Sequence, residues 1–394
     1  MTNSLPRLLI ILGLVIIPFY EIFLHALPFV QSLAPDSRVT KELIALVFAL
    51  AIGLLAVWQG TLKPFRNKYF LILPVYILLS LIMSPHLQLN INNNEVGDFY
   101  FWKPFAEVLC FVFMIFAVAS YDGDVDGILR VMIICGVVMS GYVILQFLGF
   151  DQFWLAKGDT GGIHGNQFTA VPAHNIGGNL GQPTIVASWL VMMIPLAMYL
   201  KRWWMVIVMA ISVFLCQSIM ADGAIGLIWA ISAVRYNRFL IIPIIFILLA
   251  GGLWAMTHKA YVMSRMDGRN EVWGEVLHDI KYGQILEGQK FSITGVGLGR
   301  FSFVFPDRHH SPFQQAHNDM LEFIYNCGLV GGFLLLAGLF LMVKGVSPSQ
   351  QGFSILLSFI AVFFCSLGSF PFQLGAHQFY SAVLVGLLNN RRIS

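Results

Sequence analysis

Hydropathy sets the first constraint on this chain. Mainly apolar runs recur near 8–30, 42–60, 69–84, 104–120, 128–149, 184–200, 203–220, 223–235, 239–256, 317–343, 353–370 and 376–389. A helix needs roughly 17–25 apolar residues to cross a hydrocarbon core about 30 Å thick. In lipid, only helices and closed barrels satisfy their own backbone. The spacing predicts an all-α integral membrane protein of about 12 transmembrane helices, a single polytopic domain over residues 1–394. Charged residues make up only 11% of the chain, against roughly 25% in a soluble domain. The first run, behind Arg7, exceeds the roughly 7–15 apolar residues of a secretory signal. A retained first helix is expected.

Lys and Arg in short loops mark the cytoplasmic side of a membrane. With both termini cytoplasmic, that side holds Lys63, Arg66, Lys68, Lys201, Arg202, Arg235, Arg238, Lys344, Arg391 and Arg392. The opposite short loops hold only Arg38, Lys41 and Lys103. The two long connections, 150–183 and 257–316, then share the outer side. A net charge of +3 is too small to suggest nucleic acid. Cys110, Cys135, Cys216, Cys327 and Cys365 all fall in apolar runs. An odd set without metal spacing reads as core residues, not as a disulfide framework.

The first outer loop is rich in Gly and Asn, and turns are expected there. It either connects spans or lines a cleft. It closes on Pro183, a residue suited to the first turn of a helix. The second outer loop gathers Arg265, Arg269, Arg300, Arg308, His309 and His310 ahead of His317. Within it Val272, Val276 and Ile280 recur at helical spacing, with Trp273 and Leu277 beside them. This predicts a short amphipathic helix at the membrane surface, its aromatic edge among the headgroups. So many cations beside a histidine in a water-facing loop point to a phosphorylated lipid.

His317 opens a span. Positive charge at a helix start, and from nearby arginines, biases imidazole toward its neutral form. Neutral imidazole can orient or deprotonate a hydroxyl; the plainer reading is a capping or interfacial histidine. Arg265 and Arg269 can pair bidentately with phosphate oxygens, or simply bind lipid headgroups. Lys103, at the outer start of a span, touches a phosphate or snorkels. Gly295, Gly297 and Gly299 have no βαβ unit around them, so a tight turn is expected. Gly328, Gly331 and Gly332 suit close helix packing. His309 and His310 lack the spaced partners of a zinc site. No metal and no cofactor are expected.

His317-Asn318, followed by nine residues and Gly328-Leu-Val-Gly331, resembles the H-[NSQ]-x9-G-x2-G signature of the O-antigen ligase and O-antigen polymerase superfamily. Arg269 with Trp273 is similar to that family's R-x3-L element, and Thr294 to Phe301 to its G-x-G-x-x-F turn. Gly178-Asn-Leu-Gly-Gln-Pro183 resembles a segment of protein O-oligosaccharyltransferases. The likeness covers residues 150–345. One departure stands out. Relatives carry an arginine after the seventh span, where this chain has Ser218-Ile-Met-Ala-Asp222-Gly223. Arg265, Arg300 or Lys103 would then supply that charge, or the phosphate grip differs, or the chain is an inactive paralogue.

The resemblance implies a glycosyltransferase in the bacterial inner membrane, active at its periplasmic face. It would move a glycan from undecaprenyl pyrophosphate to an acceptor hydroxyl. The implied roles are His317 as catalytic residue, Arg265, Arg269, Arg300 and Lys103 as pyrophosphate ligands, and Asn318, Gln182 and Asn179 as support. The lipid A core is the favoured acceptor, because the extra C-terminal domain of many protein-glycosylating relatives is not seen. A growing glycan or a protein Ser/Thr stays open. The rival from another class is a transporter or flippase. Such proteins place polar groups at mid-membrane on broken helices, whereas these cations cluster in an outer loop.

Overall fold

Asp124 shows how the sequence sets its helix boundaries. Its carboxylate accepts the Gly127 N–H at 2.9 Å and an Arg7 guanidinium N–H at 3.0 Å, so one residue caps a helix and ties it to another. Asn318 and Ser349 cap two further helices in the same way, each satisfying an N–H that the first turn leaves orphaned. Pro183 sits at a helix start, as its sequence context predicts.

The computed structural model describes residues 4–26, 37–62, 74–77, 97–148, 180, 182–236, 269–282, 284–286, 289–290, 293, 295–297, 299, 301, 304–305, 309, 315–346, 349–369 and 371–390. Side chains are described for all of these but 4, 21–26, 37–41, 97–105, 236, 284–286 and 289–290.

The helices are α1 (Ser4–Ala26), α2 (Ser37–Trp58), α3 (Gly97–Ala119), α4 (Val125–Phe147), α5 (Pro183–Tyr199) and α6 (Trp203–Leu215). They continue as α7 (Ile219–Tyr236), α8 (Arg269–Tyr282), α9 (Asp319–Gly345), α10 (Gln350–Ser366) and α11 (Gly375–Leu388). A small antiparallel hairpin, β1 (Gln284–Leu286) with β2 (Gln289–Lys290), follows α8. A 3-10 turn, Pro371–Gln373, precedes α11. The expected runs at 203–220 and 223–235 meet earlier than hydropathy suggests, around Cys216 to Ser218. Of the expected span at 69–84, residues 74–77 are described and helical. The span at 239–256 lies outside the described residues.

The bundle has two unlike ends. At one, Asp126 Oδ1 accepts from the Tyr199 hydroxyl at 3.3 Å and from Gln351 Nε2 at 2.9 Å. There Asn390 also donates to the Tyr121 carbonyl at 2.6 Å. The starts of α1, α4 and α10 thus meet the ends of α3, α5 and α11. Cations gather here: Arg7, Arg130, Lys201, Arg202, Arg235 (over the Phe353 ring at 4.0 Å) and Lys344. At the other end the starts of α5, α7, α9 and α11 meet the end of α10.

The buried interior is apolar, built on Leu14, Ile52, Met132, Trp189, Phe379 and Leu384. The outer surface is apolar as well. Leu43, Val47, Leu50, Leu54 and Val57 are exposed along α2, and Leu329, Phe333, Leu336, Phe340 and Val343 along α9. Apolar stripes of this size on a water-facing surface would drive association; facing lipid, they need no cover. Among the described residues, α4 and α9 are long and apolar enough, by length and composition, to cross a membrane. The architecture is that of a helical protein suited to a membrane.

Candidate functional site

The second long connection and α9 share a small apolar core. Val272 and Val276 on α8 pack with Val296, Phe301, Val304, Phe305, Ala316 and Tyr325. This corrects the expectation that α8 lays its apolar face on the membrane. Periodicity reveals that a face is buried, not against what, and here loop and α9 side chains cover it. Trp273 also turns inward, its indole N–H donating to the Ala316 carbonyl at 2.7 Å. Asp279, fully buried, accepts from the Tyr325 hydroxyl at 3.2 Å and lies 2.9 Å from His309 Nε2. That contact clasps the loop to α8 and α9.

The glycine turn serves α9 rather than a phosphate. Gly328 breaks α9 with φ 71° and ψ −178°, which takes carbonyls out of the helical ladder. The Val296 N–H donates to the Tyr325 carbonyl at 3.1 Å and the Gly297 N–H to the Asn326 carbonyl at 2.7 Å. The Tyr76 hydroxyl takes the Cys327 carbonyl at 2.8 Å. Gly295, Gly297 and Gly299 all have positive φ, so a tight turn is what the sequence led one to expect. Packing was expected of Gly328 too. It is buried against Gly295 and also kinks the helix, while Gly331 lies close to Tyr76 and Gly332 only to Ile324 of α9 itself.

A Cβ on Gly295, at φ 80°, would collide with the Asn326 carbonyl oxygen and the Gly328 amide nitrogen. Gly295→Ala should therefore cost more than about 1 kcal/mol. Gly274 lies inside α8, where an added Cβ would meet nothing within 4 Å, and the expected sign is opposite. Gly274→Ala should stabilise by up to about 1 kcal/mol, from helix propensity. Thermal unfolding of the two variants in detergent checks the contrast; equal midpoints would contradict this account of the turn.

His317 stands at φ 50°, a left-handed conformation uncommon for a non-glycine residue. The chain on either side is fixed. Glu322 accepts the Ala316 N–H at 3.0 Å, and Asn318 caps α9 by accepting the Leu321 N–H at 3.0 Å. Three consecutive carbonyls beyond α10 complete the site. Leu367 accepts from Asn318 Nδ2 at 2.8 Å, Gly368 from Arg269 Nη1 at 3.0 Å, and Ser369 from the Asp319 N–H at 3.3 Å. Asp319 in turn accepts the Phe372 N–H at 2.9 Å and Gln373 Nε2 at 3.2 Å. Arg269 and His317-Asn318 thus meet at one strip of backbone.

The start of α7 joins them, because Met220 lies where a Cβ on Gly368 would stand. The stretch carrying Asp222 therefore borders the peptide that Arg269 holds. The α5 start arrives through Ile185 and Leu374, and Ser188 Oγ lies 2.9 Å from His377 Nε2. Gln182 is the exposed N-cap of α5, with no side-chain capping bond. Arg265, Arg300 and Asn179 lie outside the described residues, as does the Lys103 side chain. Several helix N-termini, each partly positive, so gather with a guanidinium and an imidazole. Helix starts of this kind can hold an anion. Among the described residues, no group of three His, Cys, Asp or Glu side chains is placed to hold a metal ion.

Sequence reasoning missed the carbonyl strip, Glu322, Asp319 and the inward Trp273. Only Glu322 and Asp319 left a trace, as acidic residues in the first turn after a capping Asn. No protein-family model matches the chain, and no curated protein sequence matches it.

Proposed function

We propose that this chain is an O-antigen ligase-type glycosyltransferase spanning the bacterial inner membrane with about 12 helices. Its donor is a glycan on undecaprenyl pyrophosphate, and its acceptor is a hydroxyl, with the lipid A core the first to test. The acceptor oxygen bonds to the anomeric carbon as the bond from that carbon to the pyrophosphate oxygen breaks. The lipid pyrophosphate leaves with the electron pair. The acceptor proton passes to His317, and Arg269 with the nearby helix N-termini meets the charge growing on the leaving group. Arg265, Arg300 and Lys103 are proposed to extend that grip, with Gln182 and Asn179 at the α5 entrance.

One observation carries the reading: Arg269 and Asn318, the residue after His317, take the adjacent carbonyls of Gly368 and Leu367. Sidedness supports it. The opposite end of the bundle carries Arg7, Arg130, Lys201, Arg202, Arg235 and Lys344, and such a bias marks the cytoplasm. The His317 end then faces the periplasm. The kink in α9 is the feature that favours a transporter. Yet the Tyr325, Asn326 and Cys327 carbonyls at the break are taken by the glycine turn and Tyr76.

The test uses purified protein, a lipid-linked glycan donor and a panel of hydroxyl acceptors. Transfer is expected to continue in excess EDTA, since arginine and helix N-termini are assigned the charge. Loss with chelation and recovery with Mg²⁺ would sink that assignment. In cells, a cysteine replacing exposed His278 should react with an impermeant maleimide from the periplasm, and one replacing Lys201 should not. The reverse pattern would leave no route to an externally displayed donor.

A further inference from the structure

Helix α8 carries Arg269 and Trp273 one turn apart, and both reach the strip around His317. Arg269 takes the Gly368 carbonyl, and the Trp273 indole N–H takes the Ala316 carbonyl at 2.7 Å. Ala316 is fully buried, and its N–H belongs to Glu322. Side chains from two helices therefore hold both backbone groups of the residue before His317. A tight turn alone does not do this. We propose that the Trp273 N–H is the positioning group for the His317 imidazole. By holding the Ala316 carbonyl it sets the peptide plane that leads into the left-handed histidine, and with it the direction of the ring. Because Arg269 rides on the same helix, α8 also fixes where the imidazole stands relative to the guanidinium. An apolar side chain at position 273 would fill the space but leave the buried carbonyl without this donor. The inference rests on the transferase reading for its kinetic arm only.

Isosteric replacement separates packing from the N–H. β-(3-Benzothienyl)alanine at position 273 keeps the shape and puts sulfur where the indole has N–H; 7-azatryptophan keeps the donor. In full-length protein the sulfur isostere should lower kcat for transfer about 10–100-fold, with KM for the lipid-linked donor within about two-fold. The aza isostere should stay within about three-fold of wild type in both. Trp273→Phe should follow the sulfur isostere. A second arm needs no donor: the rate at which diethyl pyrocarbonate acylates His317, read by peptide mass spectrometry. That rate should rise at least about three-fold with the sulfur isostere, as the ring gains rotamer freedom, and hold steady with the aza one.

An unchanged kcat and an unchanged acylation rate would overturn the proposal, whatever happens to thermal stability. So would a sulfur isostere that no longer folds, since the N–H would then serve folding. If wild type itself transfers from no lipid-linked donor, the transferase reading fails, while His317 acylation still decides the positioning role.

Discussion

His317→Asn should abolish measurable glycan transfer while leaving the protein folded. General-base help contributes typically about 10²–10⁴-fold, so the residual rate should fall at least about 100-fold. The choice of asparagine follows from the backbone. At φ 50° every L side chain carries the left-handed strain of roughly 1–2 kcal/mol, which the short polar side chains of His and Asn offset by local hydrogen bonds and alanine does not. His317→Ala should therefore lose both activity and a few degrees of thermal midpoint, and His317→Asn activity alone. The pair separates chemistry from conformation: an Asn variant that transfers at near wild-type rate takes the imidazole out of the mechanism. If both variants lose stability and activity together, the ring is chiefly a structural cap.

Much of the scaffold was legible because it rests on local rules. Pro183 starts α5, Asn318 caps α9, and the Gly295 to Gly299 turn has the positive φ values its composition implies. What was not legible depends on partners far away in the chain. The Asn318 bond to Leu367 spans 49 residues and the Arg269 bond to Gly368 spans 99. No periodicity or composition encodes a choice among backbone carbonyls that all look alike in sequence. The direction of α8 failed for a related reason. Its apolar stripe suits a headgroup layer as well as a protein core, and only the aromatic cluster of Phe301, Phe305 and Tyr325 decides between them. The Gly328 kink was hidden because the same glycine also fits a helix-packing motif.

These long-range bonds tie the His317 end together through the backbone. Several polar side chains there bond to backbone groups: Asn318, Asp319 and Glu322 to amides or carbonyls, Arg269 to Gly368. Backbone dipoles carry no net charge.

That commitment gives the second large effect its form. Arg269→Ala should raise KM for the lipid-linked donor about 10–100-fold, because a hydrogen bond to a charged group is worth about 1.5–3 kcal/mol. Arg269→Lys tests geometry at constant charge. An ammonium is a point charge on a flexible stem, whereas the planar guanidinium offers donors along separate edges. Arginine can hold the Gly368 carbonyl and face a phosphate oxygen in one fixed orientation; lysine must trade one contact against the other. Arg269→Lys should accordingly recover part of the donor affinity and little of the thermal stability contributed through Gly368. The measurement is donor KM beside thermal midpoint for wild type, Lys and Ala. A Lys variant with wild-type KM would reduce the requirement to a point charge. An Ala variant with wild-type KM but a lowered midpoint would make Arg269 a latch for the α10 terminus, and would pass the phosphate grip to the other cations of the loop.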